Sequence, residues 1–358
     1  MAVNLSDADF QLINDLVKVP GVPGRESLVA EVIKQALPKT GWDIHVDPVG
    51  NLTARKPGPG KKILLLAHMD EVGLIVQRIT PNGFLKIERL GGMSLHALAG
   101  CSLDLWTDRG RLDALVGVEA AHLANGKSQS FSSQDLYIDI GCSSKDEASA
   151  LGVKIGDALT WKCDLSILAG RRIRGKALDD RLGCYSLIKL ANELLDEDLN
   201  LDVTLGFVVQ EESMILEAGP VVNQIKPDVV IGVDGTLPFD TPDVEGQQCD
   251  ITLGNGPCVK LMDAIRGKTA YLPNWALSKA IMNFLEAQAL SFQPEIIVGL
   301  STAMSLVPLM NKGIKTAALS LPIRYHHSAV EVADLNDLAN LIYLLKQLLI
   351  NEDVKVYY

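Results

Sequence analysis

A basic stripe, a paired-cysteine motif and an apolar run of membrane-spanning length are all missing from this chain. The longest basic cluster is Gly170-Arg171-Arg172-Ile173-Arg174-Gly175, and the formal net charge is -11. A nucleic-acid-binding surface needs a basic patch, so nucleic acid is excluded as the main partner. Cys101, Cys142, Cys163, Cys184, Cys249 and Cys258 are scattered without CxxC spacing. That usage fits free thiols in a reducing compartment rather than a disulfide framework. No run approaches ~18 consecutive apolar residues, and residues 1–6 hold no cationic segment followed by an apolar stretch. The expectation is a cytoplasmic protein with no membrane partner.

What is present is core-forming material. Hydrophobic residues make up 47% of the 358 positions and charged residues 22%, which argues against disorder. A soft allowance of ~150 residues per domain points to two domains. Four short apolar runs stand out because each leads into metal-type side chains. Residues 63–66 lead into Ala67-His68-Met69-Asp70, and residues 203–209 into Gln210-Glu211-Glu212. Residues 229–233 end in Asp234, and residues 316–321 lead through Pro322-Ile323-Arg324-Tyr325 to His326-His327. Short continuous apolar runs of this kind read as buried parallel strands. In open α/β sheets the functional crevice lies beyond the carboxyl ends of the strands, where these side chains would converge.

The remaining organisation follows from periodicity. Helical spacing is expected over residues 7–18, opening after Ser6-Asp7 as a cap, and again over 27–37, with strands over 42–46 and 51–55. From 74 to 165 the pattern breaks into short strand-like pieces split by turn residues, which suggests an inserted β domain. The expected division is a catalytic domain of residues 1–73 and 166–358 around that insert. A helix over 181–195 follows Asp179-Asp180, whose charges sit at its N-terminal end, where the macrodipole contributes roughly 0.3–1 kcal/mol. Helices over 274–289 and 335–350 flank the same sheet.

Taken singly, His68 reads as a hydrogen-bonded core histidine, Asp179-Asp180 as a helix cap, Glu211-Glu212 as a solvated strand end and His326-His327 as a loop pair. Together they are harder to explain. Adjacent carboxylates raise each other's pKa unless something positive neutralises them, and Arg181 is their only basic neighbour in sequence. Divalent cations held by carboxylate and imidazole would do so.

Five segments carry a family resemblance: Ala67-His68-Met69-Asp70-Glu71-Val72-Gly73, Ala177-Leu178-Asp179-Asp180-Arg181-Leu182-Gly183, Gln210-Glu211-Glu212, Val233-Asp234 with Asp240-Thr241-Pro242, and Arg324-Tyr325-His326-His327-Ser328. They resemble the M42 metallo-aminopeptidases, a group whose members often form self-compartmentalised tetrahedral particles. The likeness extends to Asp47 with Gly50-Asn51, Gly91-Gly92, residues 135–141, residues 152–157 and Leu253-Gly254-Asn255-Gly256-Pro257.

The resemblance implies an α/β metallopeptidase domain built on a mixed sheet, with an inserted small β-barrel or PDZ-like domain. It also implies two divalent metal ions per subunit (Zn²⁺ or Co²⁺, with Mn²⁺ as a further candidate), short peptide substrates and a homo-oligomer, up to a dodecamer. His68, Asp179 and Asp234 would hold one ion, and Asp179, Glu212 and His327 the other. Glu211 would be the general base, and Asp70 would orient His68 by accepting its other N–H. His327 is taken as the ligand rather than His326 from the family's pattern, and alternation along an extended segment would put the two rings on opposite sides. Asp180, His45, His96 and His122 receive no chemical role.

Departures from the family pattern lie in the pocket. Residues 213–219 lack the family's usual glycine-bearing segment, and residues 298–303 lack its usual aspartate. Ser94-Leu95-His96 replaces the more usual aromatic and polar residues. The leading expectation is an aminopeptidase. The alternatives are a metal-dependent deacylase or glycosidase, a weakly active or redirected member, and a non-catalytic binding protein.

Overall fold

The computed structural model describes residues 6–118, 122, 136–213, 218–244, 249–265 and 269–358. The four apolar runs form the strands Lys62–His68, Asp202–Val208, Val229–Thr236 and Lys315–Arg324. They lie side by side and parallel, with Val208 opposite His68 and Asp234 opposite Ser320. Their carboxyl ends therefore share one edge, the arrangement on which convergence depends. Both faces are covered, which is why the strands read as continuous apolar runs rather than alternating ones.

Among the described residues this sheet has twelve strands, extended on one side by the antiparallel Leu52–Lys56 and Asp43–Val46 and on the other by Glu331–Asp334, Arg172–Gly175 and Ser166–Ile167. Cys258–Ile265, Thr269–Tyr271 and Gln293–Val298 branch from Lys315–Arg324. One face packs under the helices Asp7–Lys18, Leu178–Glu193 and Leu335–Ile350, whose Leu16, Leu187 and Leu345 are fully buried in the main core. The other face is covered by Gly219–Ile225 and the short turns around Met304 and Val307.

Six strands between Gly73 and Trp161 close into a barrel with its own core of Leu74, Ile87, Leu103, Leu159 and their neighbours. This is the fold class expected from the sequence: a mixed α/β sheet carrying a small closed β barrel. Among the described residues no helix is long and apolar enough to cross a membrane.

The first helix starts where the sequence places it. The Ser6 side chain accepts the Asp9 N–H at 3.2 Å while the Asp9 carboxylate accepts the Ser6 N–H at 3.0 Å, a reciprocal capping box. Asp9 also receives Tyr185 Oη at 2.9 Å and Lys189 Nζ at 2.8 Å, tying this helix to Leu178–Glu193. Ser6→Ala should lower stability by about 1 kcal/mol. A chemical unfolding curve superimposable on wild type would show that this cap contributes nothing.

Candidate metal centre

His68 ends its strand fully inside the protein. Its Nδ1 lies 3.1 Å from the Asp70 carbonyl oxygen and 3.4 Å from the Asp70 carboxylate, so the carbonyl is the nearer partner. The Asp70 carboxylate does something else: Oδ1 accepts the Glu211 N–H and Oδ2 the Glu212 N–H, each at 3.0 Å. One buried side chain thus fixes the turn that carries both glutamates. Glu26 holds the preceding residue, accepting the N–H of Gln210 at 3.0 Å and of Gly24 at 2.8 Å. Burial and the neighbouring Asp70 push its carboxyl up to about 7.

On the far side of His68, Nε2 stands 3.4 Å from Asp179 Oδ1 and 3.7 Å from Asp234 Oδ1. Asp179 and Asp180 lie in front of the helix proper with non-helical backbone, and the peptide between them is cis. Asp180 turns away into structure, accepting the N–H of His68 at 3.2 Å and of Gly183 at 3.0 Å. Asp179 Oδ2 meets His326 Nε2 at 2.5 Å and His327 Nε2 at 3.2 Å, and His327 Nε2 lies 3.0 Å from Glu212 Oε1. The Nδ1 of His327 contacts the Gly92 carbonyl, which fixes the ring's direction.

The expectation that the two imidazoles would point to opposite sides is overturned. Tyr325 and His327 both adopt φ +58°, so the segment is not extended and strict alternation does not hold. Both rings reach Asp179, with centroids 4.6 Å apart. Sequence reasoning also passed over Glu26 and Glu331. Glu331 accepts the Asp179 N–H at 3.1 Å and the His327 N–H at 2.8 Å. Its signal was available, since Glu331 is the lone charge in the apolar stretch Ala329-Val330-Glu331-Val332-Ala333. His45, His96 and His122 are exposed.

Electrostatically, the centre is overloaded with buried acid. Burial raises Asp234 and Glu212, and raises Asp180 well above the carboxylate range, with Asp234 and Asp179 adding to the last. Burial lowers His326 to about 4, and its Nε2 makes a short contact with Asp179. Burial opposes charge on His327 as well, but Asp179 and Glu212 overcome it and push the ring up to about 12. Against burial, His326, His327 and His68 hold Asp179 well below the carboxylate range, and Asp179, Asp234 and Asp70 raise His68, so the imidazoles offset part of this acid and a divalent cation would offset more. His68 Nε2 and Asp179 Oδ1 are both buried and both without a hydrogen-bond partner. Orphaned donor and acceptor atoms of this kind cost stability unless a ligand uses them. The groups Asp179–His326–His327, His68–Asp180–Asp234 and His68–Glu211–Glu212 each offer ligand atoms close enough to share an ion.

A cavity of about 340 Å³ opens over these groups, lined also by Gly92, Ser213, Gly235 and residues 299–302. Leu300, Ser301 and Thr302, from the segment expected to depart from the family pattern, form part of its wall. Residues 214–217 and Asp135 of the matched segments lie outside the described residues.

Three other segments of the resemblance are fastened by hydrogen bonds. Asp47 gathers the N–H groups of Val49, Gly50 and Asn51, and Asn51 passes the constraint on by accepting the Val209 N–H at 2.9 Å. Asp240 receives Arg324 bidentately at 2.8 and 2.6 Å. Asp337 accepts the N–H groups of Gly254 and Gly256, both at 2.7 Å.

The sequence model of the M42 glutamyl aminopeptidases matches residues 50–344. The chain belongs to that family. It is 29% identical to the lysyl aminopeptidase of Pyrococcus furiosus, over 95% of this chain and 96% of that one. The solved aminopeptidase APDkam598 of the archaeon Desulfurococcus kamchatkensis superposes with a TM-score of 0.91 at 29% identity, covering 98% and 97% of the two chains. The TET1 peptidase of Pyrococcus horikoshii, described as able to assemble into a tetrahedron or a large octahedral shell, superposes with a TM-score of 0.86 at 31% identity over 96% and 99%. This member of the family is an aminopeptidase, a hydrolase of peptide bonds, and the family's use of divalent metal agrees with the donor set at the strand edge.

Proposed function

We propose that this chain is a dimetal aminopeptidase that removes N-terminal residues from short peptides, with Glu211 as general base. The observation that carries the reading is the pair His68 Nε2 and Asp179 Oδ1, both buried, neither hydrogen-bonded, and 3.4 Å apart, with Asp179 lining the cavity. His68, Asp179 and Asp234 would hold one ion, and Asp179, Glu212 and His327 the other, with Asp179 shared. Asp179 takes that role over Asp180 because both Asp180 oxygens are already engaged by backbone N–H groups. When bound, divalent cations supply Lewis acidity toward the scissile carbonyl and make the attacking water more acidic; Zn²⁺, Co²⁺ and Mn²⁺ all accept this ligand set.

The chain's own residues do the rest. Glu211 lines the cavity and takes the proton of the attacking water, then delivers it to the departing amine. Asp70 holds Glu211 and Glu212 at fixed height through their N–H groups.

The catalytic unit is proposed as residues 1–73 with 166–358, and the barrel of 74–165 as an element of access and assembly. Homo-oligomerisation is supported by the assembling Pyrococcus horikoshii relative, and a dodecamer by the solved PhTET1-12s particle, 31% identical to this chain. It also fits the exposure of Leu272, Trp275, Ile296 and Leu309. The names of most relatives favour the peptidase over a deacylase or a glycosidase, although a Thermotoga maritima structure at 30% identity is described as an endoglucanase. Glycosidases normally use paired carboxyls without metal, so metal dependence separates the last.

The test is release of N-terminal residues by protein stripped with a chelator, then reloaded with Zn²⁺, Co²⁺ or Mn²⁺, over a panel of peptides. Stripping should abolish release and at least one metal should restore it. Undiminished turnover after verified removal of metal would sink the reading.

A further inference from the structure

We propose that Glu331 is a positioning residue that locks the segments carrying Asp179 and His327 into a single cradle. The inference rests on the two-metal reading above and deepens it. Asp179 and His327 are far apart in sequence and come from different parts of the fold, one in the non-helical opening of the segment Leu178–Glu193 and the other just after the strand Lys315–Arg324. Something must fix their separation, because a shared ligand and its neighbour are useful only at one spacing. Glu331 opens the strand Glu331–Asp334, is 2% exposed, and reaches both: Oε2 accepts the Asp179 N–H at 3.1 Å and Oε1 the His327 N–H at 2.8 Å.

Neither N–H belongs to a regular ladder. Asp179 has φ -81° and ψ 110°, outside helical geometry, and His327 has φ +58°, the left-handed region that non-glycine residues seldom occupy. A carboxylate accepting both N–H groups holds these two conformations in place. The arrangement repeats on the opposite wall, where Asp70 spans the N–H groups of Glu211 and Glu212. Glu331 is not among the residues lining the cavity, so it acts through Asp179 and His327 rather than on substrate. Partners of metal ligands typically change metal affinity 10–100-fold when altered.

Glu331→Gln is the informative change. It keeps size and one acceptor but turns the other into an N–H₂ donor, so in either orientation a donor faces one of the two backbone N–H groups. Titration of Zn²⁺ into the metal-free protein should show affinity about 10–100-fold below wild type. The absorption of the Co²⁺-loaded variant should shift, and Glu331→Asp, which keeps both acceptors on a shorter stem, should recover part of the loss. Wild-type Zn²⁺ affinity and an unchanged Co²⁺ spectrum in Glu331→Gln would overturn the proposal, even with a lowered melting temperature, because the residue would then be structural only. If that variant does not fold, Glu331→Asp decides by the same measurements, and wild-type affinity overturns the proposal. A wild-type chain that takes up no metal would bring down the two-metal reading itself, and this role with it.

Discussion

Glu211→Gln should lower kcat about 10²–10⁴-fold, the usual worth of a positioned general base, and leave metal content unchanged. The amide has the shape of the carboxylate but cannot take a proton at neutral pH. The turn that presents it is braced through its main-chain N–H groups: Asp70 grips residues 211 and 212, and Glu26 grips residue 210. Those grips stay in place in the variant. Aminopeptidase turnover and elemental analysis on the same preparation check it. Turnover within a few-fold of wild type would remove Glu211 from the mechanism; lost turnover together with lost metal would make it a ligand instead.

The second large effect is on stability. Lys260, Asp263 and Glu295 are all buried, with Lys260 Nζ 2.8 Å from Asp263 Oδ1 and 2.5 Å from Glu295 Oε1. Thr236 adds a hydrogen bond to Glu295 at 2.8 Å. One cation serves two carboxylates, and burial raises Asp263 to about 6 against the pull of Lys260. Lys260→Met removes the compensating charge and leaves both acids in a dry interior, so it should destabilise by about 3–5 kcal/mol. Adding Asp263→Leu and Glu295→Leu should recover much of the loss, because the desolvation cost leaves with the charges. Chemical unfolding of the single and triple variants measures both. A single-variant loss within about 0.5 kcal/mol, the scale of ordinary surface substitutions, would show that the cluster is not the strut it looks like.

That cluster also explains what the sequence concealed. The four central strands were legible because parallel strands buried on both faces need nothing but apolar residues, and each run stops within three residues of its strand's end. Cys258–Ile265 and Gln293–Val298 were not expected, since Lys260, Asp263 and Glu295 interrupt their apolar pattern. Lys260 meets Asp263 three residues on, but Glu295 comes from another strand, and no local window shows that third charge. The site divides along the same line. His68, Asp234, Glu211 and Glu212 follow from strand ends, whereas the approach of His326 to Asp179 depends on left-handed backbone at Tyr325 and His327, which neither residue type advertises. Glu331 and Glu26 act on backbone N–H groups, a role any buried acid could fill and none announces.

The Gly92 carbonyl that receives His327 Nδ1 belongs to the barrel, between the strands Leu85–Leu90 and Ser102–Thr107. The barrel consequently cannot be treated as an interchangeable cassette. A chimera carrying another relative's insert could express, fold and pack its core while misdirecting a single imidazole. Lengthening or shortening the connection around Gly91 and Gly92 is thus an edit to the reaction centre, made from a part of the chain that contributes no acid and no histidine to it.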